Sequence, residues 1–516
     1  MAMDRRTVLR AAGMGVSASA VALGLGFVAF APQRNAAGGT PVTTGSEVPV
    51  PPSEVLRTVG APMDWGALRK RLSGVLNLPA DAGYGQAKLA YNPVFDSRQP
   101  AAIAQCANAS DVQACVGAAA GRMPIAARSG GHSYAGYSTP DAGLVVDLSG
   151  MNSVDVRADG TAVIGAGARL IDVYAGLAKA GRALPGGSCP TVGIAGLTLG
   201  GGIGVLTGKY GLTCDSVVSA QVVTADAVLR TAAADSEPDL YWALRGGGGG
   251  NFGIVTSFTF RTVPAPQLTV FQVQFPAGSV TAVLGAWQSF TTSAPDEFWS
   301  TLALSAGSPP TCRINGCYVG SAGDMNALLD KLIAAAGSQP TNRFALNKDY
   351  LSAMMYFGGC ANYSVAQCRP SWNGGGVLGR ESFTASSRVL TKPLADPGQL
   401  TALLTGRQGM DILLDSMVGA PARIGASDTA FAYRGALATA QMYVGDTTAA
   451  ARTAVDEVRD GLGNLTGDTG FVNYIDPGIK NWASAYYGGN ASRLRSIAKH
   501  YDPDEVFGFA QSASKI

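Results

Sequence analysis

The sequence is poor in charge and in histidine. Of its 516 residues 14% are charged, 38 basic and 36 acidic, and only two are histidines, His132 and His500. The charges do not form long runs, and no basic stripe interleaved with aromatic residues occurs, which argues against nucleic acid as a partner. We also predict no metal site. His132 lies among small residues, and so rare a side chain in that setting needs a specific explanation.

Long apolar runs are equally scarce. Apart from the run over 11–31, no stretch has the roughly 20 uninterrupted apolar residues that span a bilayer. Arg5 and Arg6 precede this run, and the arrangement resembles a twin-arginine export signal. We therefore predict a twin-arginine-type signal over 1–31, recognised by that export machinery, and a secreted protein. The alternative is an uncleaved signal that stays in place as a membrane tether.

The chain has eight cysteines, and an exported chain with that many is expected to form disulfides. Three pairs are close in sequence and are the predicted disulfides: Cys106–Cys115, Cys312–Cys317 and Cys360–Cys368. Two cysteines then remain, Cys189 and Cys214. Either they form a fourth disulfide, or Cys214 is a buried thiol and Cys189 has a different role.

The chain length favours two domains, because a single hydrophobic core rarely serves more than about 300 residues. The predicted division is a tether and N-terminal helix over 32–84, a mixed domain over 85–265, a second domain over 266–474 and a final segment over 475–516. In the mixed domain we predict a helix capped by Asp111 and a buried strand over 124–127. In the second domain, alternating strands and helices favour an antiparallel sheet covered by helices.

Two glycine-rich segments carry the most specific pattern. His132 lies in RSGGHSY over 128–134, and Cys189 lies in PGGSCPTVG over 185–193. Glycines let the backbone approach a planar or anionic ligand closely, and successive N–H groups can bind a pyrophosphate. Both segments resemble those of the berberine-bridge-enzyme-like flavoproteins of the vanillyl-alcohol-oxidase superfamily, and the resemblance extends from about 91 to 511. In that family the matching histidine bonds the flavin 8α-methyl carbon, and the matching cysteine bonds ring carbon 6.

The resemblance implies an α+β fold with a PCMH-type FAD-binding domain over 85–265, to which 475–516 return, and a substrate domain between them. It also implies FAD held by two covalent links, histidyl at His132 and cysteinyl at Cys189. The alternative for His132 is a structural histidine. The other residues that we expect around the cofactor are Arg128, Ser129, Gly130, Gly131, Ser133, Val192, Gly193, Gly196, Gly201, Gly202, Gly253 and Ile254.

The glycine spacing over 196–204 imitates a dinucleotide-binding turn. That fingerprint requires a strand before it, a helix after it and an acidic residue further along the chain. Here Gly187, Cys189 and Pro190 precede the glycines, which fits a loop around a flavin. We therefore reject nicotinamide binding.

Oxidation of an alcohol by a flavin needs a base that takes the hydroxyl proton. Because His132 is assigned to the link, a tyrosine is the natural candidate. The segment over 471–476 resembles the one that carries the catalytic tyrosine in similar oligosaccharide oxidases, so Tyr474 is the predicted base. Its alternative is a half-buried structural aromatic. Tyr134 is the second catalytic candidate, and Asp415 and Gln441 are predicted to face the substrate.

In similar proteins the third residue after the linking cysteine lies beside the flavin edge that meets oxygen, and a small valine admits oxygen. Here that residue is Val192. We therefore predict an oxidase that transfers hydride from a hydroxyl-bearing carbohydrate, or from a glycosylated or polycyclic metabolite, to FAD and then to O2, giving H2O2. The alternatives are a dehydrogenase with a quinone or cytochrome acceptor, and a non-catalytic exported glycan-binding protein.

Overall fold

The structure is a computed structural model and describes residues 62–516. A short helix lies at the start of this range. The predicted signal over 1–31 and the tether up to 61 lie outside these residues. Asp64 caps the first helix, because its carboxylate accepts a hydrogen bond from the Ala67 backbone N–H at 2.8 Å. No helix within 62–516 is long and apolar enough to cross a membrane.

The elements follow one another along the whole described chain. The strands are β1 Val75–Asn77, β2 Ala102–Gln105, β3 Ile125–Arg128, β4 Leu144–Asp147, β5 Val154–Val156, β6 Thr161–Gly165, β7 Arg182–Ala183, β8 Val217–Val223, β9 Leu229–Ala233, β10 Ile254–Arg261, β11 Val263–Pro264, β12 Leu268–Gln274, β13 Phe298–Ser305, β14 Thr311–Tyr318, β15 Asn342–Lys348, β16 Thr384–Leu390, β17 Met410–Ser416 and β18 Ala438–Val444. The α-helices are α1 Trp65–Arg71, α2 Tyr84–Ala87, α3 Ala109–Ala119, α4 Leu170–Lys179, α5 Ile194–Leu199, α6 Thr207–Tyr210, α7 Pro238–Ala243, α8 Val280–Ser293, α9 Ala322–Ala336, α10 Tyr350–Phe357, α11 Pro397–Leu404, α12 Ala449–Thr466, α13 Trp482–Tyr487 and α14 Ala491–Tyr501.

The first half of the fold contains two main sheets. One has the order β1-β2-β4-β3, in which β4 pairs in parallel with both β2 and β3, and the other has the order β5-β6-β10-β8-β9. The predicted cap of α3 was wrong by three residues. Asn108 is the N-cap, whereas the Asp111 carboxylate accepts hydrogen bonds from the backbone N–H groups of Ser73, Gly74 and Ala107. Asp111 therefore ties β1 to the start of α3.

The second half of the fold is built on one antiparallel sheet of seven strands, in the order β15-β12-β14-β13-β17-β18-β16. Side chains alternate between its two faces, as a pleated strand requires. On one face the apolar residues Leu302, Leu304, Ile314, Ile412 and Leu414 pack in one cluster with α8, α9, α11 and α12. The opposite face of the sheet lines a cavity, described below. The predicted antiparallel sheet covered by helices, and with it the two-domain α+β fold class, is confirmed.

The two halves share one hydrophobic core. Trp299 and Leu268 of the seven-stranded sheet and Tyr350 of α10 belong to the same buried cluster as β4 and β10. The C-terminal segment joins this cluster through Tyr487, whose hydroxyl donates to the Gly247 carbonyl at 3.1 Å. The halves are therefore held together by continuous packing.

The cysteines form one disulfide among the described residues, Cys360–Cys368, as predicted. The predicted pair Cys312–Cys317 is wrong, because both residues lie on β14, where five residues span about 16 Å, too far for a disulfide. Cys106 and Cys115 are also free thiols, so that prediction is not met either. A hydrogen bond with Cys115 and burial raise the pKa of Cys106, so this thiol stays protonated.

Removing the disulfide is expected to lower the free energy of unfolding by about 2–3 kcal/mol, because a short loop in the unfolded chain is no longer closed. The variant is Cys360→Ser, measured by denaturant unfolding. Reductant should destabilise the parent protein to the level of this variant and leave the variant unchanged. Cys312→Ser is the control, and its unfolding should remain sensitive to reductant. An equal response of Cys360→Ser and parent to reductant would contradict the bond.

Candidate functional site

The two glycine-rich segments are packed directly against each other. Gly130 follows β3, and Gly193 precedes α5. A Cβ added at Gly130 would overlap the backbone N of Gly193 and come within 2.9 Å of the Thr191 carbonyl oxygen. The Ser129 hydroxyl donates to the Ala166 carbonyl at 2.6 Å, which fixes the first loop from the other side. The glycines at 130 and 193 therefore allow His132 and Cys189 to face the same space.

Gly130→Ala is expected to separate the two loops and to destabilise the protein by about 1–3 kcal/mol, since there is no room for the methyl group. The flavin content of the purified protein should fall with it. Thermal unfolding and the visible absorption per polypeptide measure the two effects. Gly85→Ala, where no atom lies within 4 Å of the added Cβ, is the matched control. A Gly130→Ala protein with parental stability and colour would refute this packing argument.

His132 is held on two sides. Its Nε2 lies 2.9 Å from the Thr191 hydroxyl oxygen, and its ring is stacked on the Tyr91 ring, with centroids 4.0 Å apart and planes inclined by 19°. The hydrogen bond engages one ring nitrogen and so orients the imidazole. The position and plane of His132 are therefore fixed by neighbours from two separate segments.

Cys189 lies close to the same threonine. Its half-buried sulfur is 3.6 Å from the Thr191 hydroxyl oxygen, so Thr191 contacts both predicted linking residues. The alternative disulfide between Cys189 and Cys214 is absent, and both are free thiols. Cys214 is buried beside Asp215 and Arg434, and burial raises its pKa well above the usual range. Cys214 is therefore the buried thiol of the second interpretation.

His132 and Cys189 open into one cavity of about 390 Å³ between the two halves of the fold. Most of the predicted cofactor residues line it: Ser129, Gly130, Gly131, Ser133, Val192, Gly193, Gly196, Gly253 and Ile254. Three others do not line it. Arg128 is buried in an ion pair with Asp147 at 2.6 Å, and a Cβ added at Gly201 or Gly202 would meet Phe431 or Thr213.

The predicted catalytic and substrate residues form another part of the cavity wall. Tyr134 and Tyr474 are stacked, with ring centroids 5.4 Å apart and planes inclined by 15°. Asp415 on β17 also lines the cavity, and its carboxylate accepts a hydrogen bond from the Thr301 hydroxyl at 2.6 Å. Gln441 lies behind this wall, where its side-chain amide donates to the Tyr134 hydroxyl at 2.5 Å. The structure therefore brings Tyr134, Tyr474 and Asp415 to the cavity, with Gln441 as a support.

The segment that carries Tyr474 is anchored from both halves of the fold. The Asn473 side chain donates to the Leu197 carbonyl at 3.0 Å, at the wall that carries the glycine-rich loops. Asp476 is almost fully buried, and its carboxylate accepts hydrogen bonds from Ser386 on β16 and from Arg459 on α12. Tyr474 therefore has a defined position relative to both walls.

Sequence reasoning missed three further residues of the cavity wall: Tyr91, Glu381 and Tyr443. Tyr91 donates from its hydroxyl to Glu381 Oε2 at 3.0 Å. Burial and the negative charge of Glu381 raise the pKa of Tyr443 far above its usual value. Tyr91 and Glu381 are 290 positions apart, and no spacing in the sequence connects them. Thr191 was overlooked although it stands two positions after Cys189.

The shape of the cavity fits a flavin nucleotide. Gly196 lies in the first turn of α5, and no atom lies within 4 Å of the position that a Cβ would take there, so this wall is open to a ligand. Gly249 and Gly250 form a second open stretch of the wall. Backbone N–H groups in such loops can bind phosphate oxygens, and an imidazole and a thiol, those of His132 and Cys189, line the same cavity. No group of three or more potential metal-ligating side chains forms within 62–516.

Comparison with known proteins gives the same picture. The model of the FAD binding domain matches residues 100–233, and the model described as berberine and berberine like matches 470–513. The FAD-linked oxidoreductase YgaK of Bacillus subtilis is 34% identical over 460 residues, which cover 86% of this chain and 97% of that protein. The chitooligosaccharide oxidase of Gibberella zeae is 30% identical and covers 84% of this chain and 92% of its own length.

A solved structure adds a chemical parallel. It is that of glucooligosaccharide oxidase from Acremonium strictum, described as carrying a 6-S-cysteinyl, 8α-N1-histidyl FAD. It aligns with a TM-score of 0.77 and 28% identity, and covers 87% of this chain and 99% of that one. The two family matches, together with relatives that cover most of the chain, identify the cavity as a FAD site. The chain belongs to the berberine-bridge-enzyme-like family of FAD-linked oxidoreductases.

Proposed function

We propose that this protein is an exported oxidase that holds FAD through His132 and Cys189 and oxidises a hydroxyl-bearing carbohydrate, with O2 as the acceptor and H2O2 as the product. The observation that supports this most directly is the arrangement of one cavity. His132, Cys189, Tyr134, Tyr474 and Asp415 all line it. Relatives that cover most of the chain are named as oligosaccharide oxidases, which favours a carbohydrate substrate.

The two covalent links are assigned to these residues by their positions. Thr191 contacts both side chains and engages His132 Nε2, so we assign the flavin to Nδ1 of His132 and to the sulfur of Cys189. FAD supplies the ring that accepts a hydride. A cofactor bonded in this way cannot be lost outside the cell, where it could not be replaced. The twin-arginine route carries folded protein, so the flavin would be installed before export.

Tyr474 is the residue that we assign to proton removal from the substrate hydroxyl. Tyr134 stacks on it and is itself held by Gln441, so the two rings keep one orientation. Tyr443 is not suited to this role, because its raised pKa keeps it protonated. Asp415 is placed by Thr301 to accept a hydrogen bond from the substrate. Val192, on the wall beside Cys189, leaves room for oxygen.

One experiment tests the class of reaction. The purified protein is reduced anaerobically with candidate mono- and oligosaccharides, and then with glycosylated aromatic compounds, and is finally mixed with air. Bleaching of the flavin absorption followed by fast return of colour, with formation of H2O2, is the expected result. Slow return of colour would indicate a dehydrogenase with another acceptor. No bleaching with any compound would indicate a glycan-binding protein.

A further inference from the structure

A buried carboxylate is connected to His132 through a tyrosine. Glu381 exposes only 6% of its surface. It accepts a hydrogen bond from the Tyr91 hydroxyl at 3.0 Å, and its backbone N–H donates to the Tyr91 carbonyl at 3.4 Å. The Tyr91 ring in turn lies flat on His132, with centroids 4.0 Å apart. Glu381, Tyr91 and His132 therefore form a connected series, which we call the Glu381 series.

The position of Glu381 is fixed from the neighbouring residue. Arg380 donates from Nε to the Ala90 carbonyl at 2.7 Å and from a terminal nitrogen to the Asp96 carboxylate at 2.8 Å. These contacts fasten the segment of Glu381 to the segment of Tyr91. They also pair the positive charge of Arg380, the residue next to Glu381, with the carboxylate of Asp96. Tyr443, the other group that faces Glu381, remains a neutral hydroxyl because its pKa is raised.

This arrangement suits the chemistry of covalent attachment. As the imidazole nitrogen bonds the 8α carbon, that carbon loses a proton, and the electron pair of the broken C–H bond reduces the flavin by two electrons. The imidazole is cationic until it loses its own N–H proton. O2 then takes the two electrons and two protons and leaves as H2O2. The face of an aromatic ring attracts a cation, and a hydroxyl bonded to a carboxylate makes the Tyr91 ring richer in electrons.

We propose that Glu381 is a positioning residue for flavin attachment at His132: through Tyr91, it stabilises the positive charge that develops on the imidazole. The inference rests on the histidyl link of the proposed function. It concerns the histidyl link, because the Tyr91 ring is stacked on His132, whereas the sulfur of Cys189 lies beside the Thr191 hydroxyl. The two links should therefore respond differently to the same substitution.

The test separates the two links by removing one at a time. Glu381→Gln is combined with Cys189→Ala, where only the histidyl link can form, and with His132→Ala, where only the cysteinyl link can form. The proteins are produced in cells limited for riboflavin and then incubated with FAD in air. Intact mass of the denatured polypeptide follows the covalent fraction with time. We expect attachment to slow about tenfold in the first background, which corresponds to about 1.4 kcal/mol, and to be unchanged in the second.

A second variant distinguishes loss of the hydrogen bond from misfolding. Tyr91→Phe keeps the stacked ring and removes only the hydroxyl that donates a hydrogen bond to Glu381. It should therefore slow the histidyl attachment to the same extent. The combination with Glu381→Gln should be no slower than either change alone. Equal slowing in both backgrounds, or no slowing in the Cys189→Ala background, would overturn the inference. If Cys189→Ala alone gains no covalent flavin, the histidyl link itself is wrong, and this role of Glu381 with it.

Discussion

Replacing Tyr474 with phenylalanine is expected to lower the turnover of a true substrate about a hundredfold or more. The ring and its stack on Tyr134 would remain, while the hydroxyl that we propose as the base is lost, and a positioned base contributes about that much. The measurement is the anaerobic rate of flavin reduction at saturating substrate, which isolates the chemical step. Flavin content and thermal stability should stay close to the parent.

Tyr433→Phe is the matched control for this prediction. Tyr433 packs in the same small cluster as Tyr474, its hydroxyl donates to the Ala485 carbonyl, and burial raises its pKa to about 12. The control should retain most of the parental rate. An unchanged rate in Tyr474→Phe would transfer the role of base to Tyr134, the other tyrosine of the stack.

The double substitution His132→Ala with Cys189→Ala should convert the bonded cofactor into a dissociable one. Each single substitution leaves one link, so the flavin should remain with the polypeptide after acid precipitation. In the double variant all of the flavin should appear in the acid supernatant, because only noncovalent contacts with the cavity remain. The visible spectrum of pellet and supernatant measures the distribution.

Cys214→Ala is the control for the loss of a thiol, since Cys214 is buried away from the cavity. It should keep all of its flavin in the pellet. Release of flavin from the parent protein in acid would show that neither link exists. Retention in the double variant would place a link at a residue that we have not identified.

The sequence alone was sufficient for the parts of the site that depend on local structure. His132 and Cys189 lie in glycine-rich loops. Gly130 and Gly193, which allow these loops to approach each other, lie within the same two motifs. The fold class followed from strand and helix patterns, with errors of a few residues at the ends. The predicted cap of α3 failed because the Asp111 carboxylate is used by the β1 segment, a contact that no helix pattern records.

The remaining parts of the site depend on contacts between distant segments. Glu381 reaches Tyr91 only because the chain that leads into β16 returns beside the first glycine-rich loop, and its position in the sequence gives no indication of this. The glycine spacing at 201 and 202 likewise looked like part of a cofactor loop. In the structure they do not line the cavity, and a Cβ at either position would meet Phe431 or Thr213.

The two faces of the seven-stranded sheet have a consequence for how such enzymes diverge. Along β13, β14 and β17, residues that pack against the helices alternate with residues that line the cavity, such as Thr301, Asn315, Leu413 and Asp415. A mutation at a cavity position changes the shape and polarity offered to a substrate and leaves the helix-packed layer intact. The cofactor loops belong to other elements. New substrate ranges can therefore evolve by single steps that neither unfold the protein nor disturb its redox chemistry.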